Sequence, residues 1–170
     1  MLYKALSHYA EQGVAPFHMP GHKRNAKLLG DGLPWTIDIT EIDGFDNLQE
    51  PKGILKALSW RAAALFGSES AFPLVNGGTG GILAAVKSAV RAGDPIVMAR
   101  NCHKSVYNAA ELLGLRPVYI LPDADETGIA GSIRPEQVRK ALDAHPGASL
   151  VVVTSPTYEG VVSDIGALAD

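Results

Sequence analysis

Continuous apolar runs alternate with helical patterns along the second half of the chain. The apolar runs cover residues 71–75, 95–99, 117–121 and 149–154, and helical spacing covers residues 79–92, 104–113 and 135–144. Runs that are apolar throughout are typical of parallel strands buried on both faces. The alternation therefore predicts a doubly wound α/β sheet. Ligands bind such sheets beyond the carboxyl ends of the strands, here at residues 76–80, 100–104, 122–125 and 155–160.

The first third of the chain follows a different pattern. Helical spacing covers residues 2–12, and a strong amphipathic helix is predicted over residues 54–66, closed by Gly67. Between them, residues 14–51 carry many prolines and glycines and little periodicity, and loops of that length inside compact domains usually serve a function. We therefore predict an N-terminal segment, residues 1–67, followed by the α/β part, residues 68–170.

The last ten residues resemble the start of another helix, with Ser163 or Asp164 as its N-cap. A strand is expected after such a helix, and none follows. This pattern predicts that the chain is a fragment of a longer protein.

Composition narrows the class of protein. The 170 residues are 46% hydrophobic and 19% charged, as in ordinary globular domains, and the net charge of −3 gives no reason to expect nucleic acid. The single cysteine, Cys102, excludes an intrachain disulfide and fits a reducing compartment. No apolar run reaches the roughly 18–20 residues of a membrane span, and no signal peptide opens the chain. We expect a cytoplasmic protein without a membrane partner.

A glycine-rich turn follows the first apolar run, in residues 75–82 (Val-Asn-Gly-Gly-Thr-Gly-Gly-Ile). A strand, a glycine turn and a helix N-terminus together present backbone N–H groups to a phosphate. A Walker loop needs a lysine directly after its last glycine and is excluded, because the first lysine after this turn is Lys87. A dinucleotide fingerprint fits poorly, because Leu83 replaces the small residue and Arg100 replaces the acidic ribose partner. A glycine turn without a ligand remains an alternative.

Three further segments carry candidate chemistry. His103, just past the second apolar run, could stack on a flat ring, exchange protons, or cap the next helix. His18 and His22 have the i, i+4 spacing of helical metal ligands, but Pro20 and Gly21 between them disfavour a helix and hence zinc. An acidic stretch could bind a cation or a basic group, or be a solvated loop; its carboxylates are Glu41, Asp43, Asp46 and Glu50.

Taken in order, these segments resemble the Orn/Lys/Arg decarboxylase family, which uses pyridoxal 5'-phosphate (PLP) on the aspartate aminotransferase-like fold, fold type I. The similarity runs from about residue 15 to the end. It lies in residues 17–23 (the family's His-x-Pro-Gly-His-Lys), 40–54 (Asp-Asn-Leu…Pro-x-Gly-Ile), 76–81 (phosphate loop), 100–107 (Arg-Asn-x-His-Lys-Ser) and 155–160 (Thr-Tyr-x-Gly).

The resemblance implies an incomplete three-layer α/β/α PLP-transferase-like large domain, preceded by an N-terminal helix and a long loop. The implied cofactor contacts are Gly77, Gly78, Thr79, Gly80, His103, Ser155 and Thr157, with His103 stacking on the pyridine ring. The implied substrate-entrance or interface residues are His18, His22, Lys23, Asp43 and Asp46. No metal is implied. The family usually has Ser or Thr where Gly78 stands, which removes one phosphate hydrogen bond here.

The sequence departs from the family's pattern at the reaction centre. PLP enzymes need a lysine that bonds to the cofactor and an aspartate that keeps the pyridine nitrogen protonated. The family carries them on Asp-x-Ala-His and Ser-x-His-Lys segments, and neither segment occurs in residues 1–170. Lys104 follows a histidine, as the lysine of the Ser-x-His-Lys segment does. The residues around Lys104 nevertheless match the family's Arg-Asn-x-His-Lys-Ser segment, whose histidine stacks on the ring. We therefore expect a decarboxylase of lysine, arginine or ornithine whose residues 1–170 alone are inactive.

Two other functional classes stay open. Another PLP reaction, such as aminotransfer or β-elimination, would use the same phosphate loop and ring-stacking residue. A truncated, non-catalytic remnant could bind phosphate or pair with a longer subunit. The resemblance also implies a homodimer or higher homo-oligomer. Because the family places later strands beside the 71–75 run, the isolated chain is expected to be poorly stable or to associate.

Overall fold

The computed structural model describes residues 1–30, 32–124 and 126–170, which divide into two compact units, Met1–Pro73 and Leu74–Asp170. The sequence prediction places this division after residue 67. The predicted ligand-rim segment 122–125 includes Asp125, which lies outside the described residues. No helix in the described ranges has the length and apolar character needed to cross a membrane.

Unit 1 is helical with a long irregular segment between its main helices. It contains α1 (Leu2–Glu11), α2 (Ala26–Leu29), a 3-10 turn (Trp35–Ile37) and α3 (Ile54–Phe66). Helix α3 ends at Gly67, which adopts φ +63° and donates its backbone N–H to the Ala63 carbonyl, a left-handed cap that glycine adopts without strain. Helix α1 packs against the 3-10 turn and α3. The predicted irregular stretch 14–51 is thus confirmed for its described residues, apart from two short helical turns; Asp31 lies outside the described residues.

Unit 2 is an α/β unit built on three parallel strands. In chain order it contains α4 (Gly77–Ala89), β1 (Pro95–Ala99), α5 (Lys104–Leu112), β2 (Arg116–Ile120), α6 (Pro135–Ala144), β3 (Val151–Val152) and α7 (Ile165–Ala169). The sheet order is β2-β1-β3. Val97 of β1 pairs with Val118 of β2 and with Val151 of β3. The carboxyl ends of β1 and β3 therefore meet at one edge of the sheet.

Strand β1 forms the centre of the core. Ile96, Val97, Met98 and Ala99 are all 0% exposed, as expected for a strand covered on both faces. The connection through α5 runs from β1 to β2, whereas the connection through α6 runs back across β1 to β3. Because such crossovers are right-handed, α5 and α6 lie on opposite faces of the sheet. This arrangement confirms the predicted α/β class with helices on both sides of a parallel sheet.

The predicted strand over residues 71–75 is wrong for this structure. The segment is irregular, and Phe72 and Val75 are 82% and 78% exposed. A strand needs a hydrogen-bonded neighbour, and no described residue pairs with this segment. The run at 149–154 likewise forms only the two-residue β3. Helix α4 begins two residues before the predicted start, and Asp164 caps α7 by accepting a hydrogen bond from the Ala167 N–H at 3.0 Å.

Candidate functional site

The start of α4 presents backbone donors without a side-chain cap. Asn76 is the N-cap residue and makes no side-chain hydrogen bond there. The first backbone bond of the helix joins Gly80 N to Asn76 O at 3.3 Å. The N–H groups that precede it have no intrahelical acceptor, a property of every helix start. With the positive end of the helix dipole, they form a place where an anion is stabilised.

Three of the four glycines of this turn, Gly77, Gly80 and Gly81, have a steric or conformational reason. Gly77 has φ +65°, a left-handed conformation that disfavours other residues. A Cβ on Gly80 would lie 2.9 Å from the Asn76 Cβ, and one on Gly81 would lie 2.6 Å from a Leu74 methyl carbon. A Cβ on Gly78 would meet nothing within 4 Å. The turn is therefore tightly packed behind the helix start and open in front of it, a shape that fits a phosphate group.

His103 is the N-cap of α5, directly after the carboxyl end of β1. Its Nδ1 accepts a hydrogen bond from the Ser105 backbone N–H at 3.2 Å and lies 2.8 Å from the Ser105 hydroxyl. Ser105 is 0% exposed, whereas His103 is exposed. The capping alternative raised from the sequence is thus realised. Capping engages Nδ1 only, so the ring face and Nε2 stay available at the sheet edge.

Arg100 lies at the same edge, held by two tyrosines. Its Nη1 donates to the Tyr107 hydroxyl at 2.7 Å, and that hydroxyl donates to the Arg100 carbonyl at 2.5 Å. The guanidinium carbon lies 5.4 Å and 5.5 Å from the ring centres of Tyr107 and Tyr119, within cation–π range. These contacts fix the turn between β1 and α5 on its β2 side.

The loop after β3 meets this turn from the other side. The Cys102 thiol lies 3.4 Å from the Val152 carbonyl, and burial raises the pKa of Cys102. In the loop, the Ser155 hydroxyl accepts from the Ser163 N–H at 3.0 Å, and the Thr157 hydroxyl accepts from the Val161 N–H at 3.2 Å. These hydrogen bonds fold residues 155–163 into a closed turn beside residues 100–103.

In unit 1, the histidine-containing motif is bound into its own loop. His18 contacts the Tyr9 hydroxyl at 3.2 Å through Nε2, and Lys23 donates to the His18 carbonyl. His22 contacts the Asp38 carboxylate at 3.1 Å and accepts from the Arg24 N–H at 3.0 Å. No group of three or more metal-ligating side chains occurs within the described ranges. Through the contacts of His18 and His22, the motif joins α1 and Asp38 within unit 1.

Asp46 organises the acidic stretch. Its carboxylate accepts hydrogen bonds from four backbone N–H groups, at 2.7–3.1 Å, which belong to Asn47, Lys52, Gly53 and Leu55. These hydrogen bonds lower the pKa of Asp46 to about 2, and the bond from the Lys52 N–H has the largest effect. Desolvation of the carboxylate acts in the opposite direction and has a smaller effect than that bond. Asp46 thus supplies the cap that Gly53, the N-cap residue of α3, lacks.

The other acidic side chains of this stretch differ from Asp46. The pKa of Glu41 is lowered, chiefly by a hydrogen bond from the Thr40 hydroxyl at 2.5 Å. Asp43 is exposed, and its carboxylate has no hydrogen-bond partner among the described residues. Of the predicted substrate or interface residues, Asp43 is therefore the one that a partner molecule can reach without breaking a described contact.

The structure brings together part of the predicted site. His103 follows the carboxyl end of β1, Ser155 and Thr157 follow that of the paired strand β3, and the glycine turn begins the helix that packs against α5. Their roles toward a cofactor stay predictions. Sequence reasoning missed Ser105, although a serine two residues after a polar N-cap is a signal of a first helical turn. It also missed Ser163, whose hydroxyl accepts from the Ile133 N–H at 3.0 Å.

A parallel α/β sheet followed by a glycine-rich helix start is an arrangement that occurs in several classes of α/β proteins. Comparison with known proteins narrows the choice among them. All of residues 1–170 match the family model described as "Orn/Lys/Arg decarboxylase, major domain". The chain belongs to the Orn/Lys/Arg decarboxylase family.

Relatives support this assignment. The chain is 42% identical over 171 residues to "Uncharacterized protein YaaO" of Bacillus subtilis, covering 96% of this chain and 35% of that protein. It is 36% identical over 177 residues to a B. subtilis arginine decarboxylase, covering 99% of this chain and 36% of that protein. The chain thus spans about a third of the length of these curated relatives.

Solved structures agree on the fold. A lysine decarboxylase from Francisella novicida superposes with a TM-score of 0.83 at 22% identity, covering 99% of this chain and 26% of that chain. Lysine decarboxylase A from Pseudomonas aeruginosa superposes with a TM-score of 0.76 at 26% identity, covering 93% of this chain and 24% of that chain. The predicted family and fold class are therefore confirmed.

Proposed function

We propose that this chain is the phosphate-binding part of a PLP-dependent decarboxylase that releases CO2 and an amine from lysine, arginine or ornithine. The observation that carries the proposal is the uncapped start of α4, in a chain that belongs to this family. Relatives named as arginine and lysine decarboxylases support a basic amino acid as the substrate. The proposal includes a cytoplasmic enzyme, because the single cysteine fits a reducing compartment. It also includes a homo-oligomer, which the family resemblance implies.

The residues of α4 would hold the phosphate. In this proposal the N–H groups of Gly77, Gly78 and Thr79 donate to its oxygens, with Gly80 completing the turn and the Thr79 hydroxyl adding one side-chain donor. The steric openness in front of Gly78 supports this role. Gly78 has no hydroxyl that could donate to the phosphate. The helix dipole and the backbone N–H groups would therefore supply a larger share of the phosphate's stabilisation than in a relative with serine at this position.

The residues beyond β1 and β3 would hold the ring. His103 would place its imidazole face on the pyridine, while Ser155 and Thr157 lie where the other edge of the ring is expected. When bound, PLP supplies the electron sink for the electrons left behind by departing CO2. His18, His22, Lys23, Asp43 and Asp46 would line the substrate entrance or a subunit contact. For Asp46 we favour an indirect part, since its carboxylate already accepts four backbone hydrogen bonds.

We further propose that residues 1–170 alone do not decarboxylate amino acids. The family's lysine and aspartate segments have no match in this sequence. Lys104 is exposed at the first position of α5, next to the N-cap His103. Its place in the ring-stacking segment argues against a covalent role.

The test is to express the full reading frame that encodes this chain, with PLP, and to assay CO2 release from lysine, arginine and ornithine. We expect bound-cofactor absorbance and turnover of one of the three. Keto-acid formation without CO2 release would favour aminotransfer instead. For residues 1–170 alone, borohydride reduction with PLP followed by peptide mapping is the matching experiment. Stoichiometric labelling of Lys104 together with turnover would refute the predicted inactivity.

A further inference from the structure

Ser105 is a buried hydroxyl that the proposed function does not use. It lies in the first turn of α5 and is 0% exposed. Its hydroxyl oxygen is 2.8 Å from His103 Nδ1, and its backbone N–H donates to the same nitrogen at 3.2 Å. A buried hydroxyl needs a hydrogen-bond partner. Within the described ranges, the partner of the Ser105 hydroxyl is His103 Nδ1.

The backbone donor decides which imidazole nitrogen carries the proton. The Ser105 N–H is a first-turn donor, without an acceptor inside the helix. Its hydrogen points at Nδ1, so Nδ1 must offer a lone pair there. A neutral imidazole has one acceptor nitrogen and one N–H. The proton of neutral His103 therefore lies on Nε2, and the Ser105 hydroxyl donates to Nδ1 as the second donor.

The opposite arrangement is disfavoured by the same contacts. If Nδ1 carried the proton and donated to the Ser105 hydroxyl, the Ser105 N–H would face a hydrogen and lose its acceptor. Leaving a buried donor unpaired costs more than an average hydrogen bond contributes. The hydroxyl then restrains the plane of the ring, because Nδ1 has a single in-plane lone pair that the hydroxyl at 2.8 Å and the N–H at 3.2 Å must share.

We propose that Ser105 is a positioning residue that holds His103 in one orientation and one tautomer. In that state His103 presents its ring face and an Nε2–H donor at the carboxyl end of β1. The consequence for catalysis rests on the proposed function, in which this face contacts the cofactor ring. The orientation and the tautomer themselves do not rest on it, since both follow from contacts inside the chain.

The test uses the full chain with 15N-labelled histidine, and His103 resonances are assigned by comparison with His103→Gln. In the unaltered protein, long-range 15N–1H correlation spectra should show a proton-free Nδ1 and a protonated Nε2. Ser105→Ala should keep this tautomer but increase the population of other His103 rotamers about fivefold, the factor that corresponds to one hydrogen bond of about 1 kcal/mol. Side-chain coupling constants and ring 13C relaxation measure that population.

Ser105→Thr keeps the hydroxyl and should restore the single rotamer. Circular dichroism shows that each variant is folded before its spectra are compared. If the threonine variant does not fold, the comparison of Ser105→Ala with the unaltered protein decides alone. A proton on Nδ1 in the unaltered protein, or an equally ordered ring in Ser105→Ala, overturns the proposal. Absence of decarboxylation would overturn the proposed function but would leave these spectra unchanged, so the two failures are distinguishable.

Discussion

The two glycines that open α4 should respond oppositely to the same substitution. Gly77 has φ +65°, whereas Gly78 has helical geometry and open space where a Cβ would stand. An alanine at position 77 must adopt the left-handed region, which costs about 1–2 kcal/mol. An alanine at position 78 meets no atom and restricts the unfolded chain, which stabilises a protein by about 0.4–1 kcal/mol.

The two variants are therefore expected to differ in free energy of unfolding by about 1.5–3 kcal/mol, with Gly78→Ala the more stable. Phosphate binding should follow the same order. The family usually carries Ser or Thr at position 78, so a Cβ there leaves the uncapped N–H groups accessible to an anion, whereas strain at residue 77 shifts the start of the helix. Gly78→Ala should thus bind PLP or inorganic phosphate as well as the unaltered protein does, and Gly77→Ala should bind both more weakly.

Urea titrations followed by circular dichroism measure the stability difference, provided that the slopes of the three proteins agree. Titration calorimetry with inorganic phosphate and with PLP measures binding. Gly81→Ala is a suitable control, since its Cβ would meet only the end of the Leu74 side chain, which can move. Equal stabilities of Gly77→Ala and Gly78→Ala would refute the assigned backbone geometry. Unchanged phosphate binding by Gly77→Ala would refute the location of the anion site.

Three further predictions concern other parts of the chain. Because the pKa of Asp46 is depressed in the folded state, its carboxylate stabilises that state above pH 3.8, and this contribution is lost as the pH falls toward about 2. Acid titrations should show this loss of stability in the unaltered protein and not in Asp46→Asn. His103→Asn keeps an N-cap acceptor and should retain thermal stability, whereas His103→Ala should lose about 1 kcal/mol of stability. If the imidazole contacts the cofactor, both variants should bind PLP equally weakly, and full PLP binding by His103→Asn would contradict that role. Because Trp60, Phe72 and Val75 are largely exposed, the isolated chain should associate at micromolar concentration in light scattering, and a monomeric, cooperative melt would count against this.

The pattern of apolar runs predicted most of unit 2, because a strand that is buried on both faces can be recognised from its own apolar residues. Residues 95–99 are apolar throughout and became the central strand, with neighbours on both sides. Residues 71–75 have the same pattern but no pairing partner among the described residues, so they stayed irregular. Apolarity marks a segment that can be buried, whereas a strand also needs a second segment beside it. A single sequence specifies the first condition far better than the second.

The candidate site was predicted unevenly for a related reason. Sequence motifs identified the glycine turn and His103, because both lie in short runs of residue types that seldom occur together by chance. They could not show that the Asp46 carboxylate is already saturated by backbone donors, since those bonds depend on how residues 46–55 fold back. For the same reason the sequence left capping and ring stacking as alternatives for His103, whereas the geometry makes them compatible.

Among the described residues of unit 2, helix capping favours the start of α4 as the proposed phosphate site. The start of α5 is filled by the His103 imidazole, and that of α7 by the Asp164 carboxylate. At α6, Pro135 removes one donor, and the Gln137 side chain accepts from the Arg134 N–H at 2.9 Å. At α4, Asn76 makes no side-chain cap and glycines leave the approach open. Because an anion must compete with side chains that already accept these N–H groups, we expect a phosphate at the start of α4, where no side-chain cap is present and the approach at Gly78 is open.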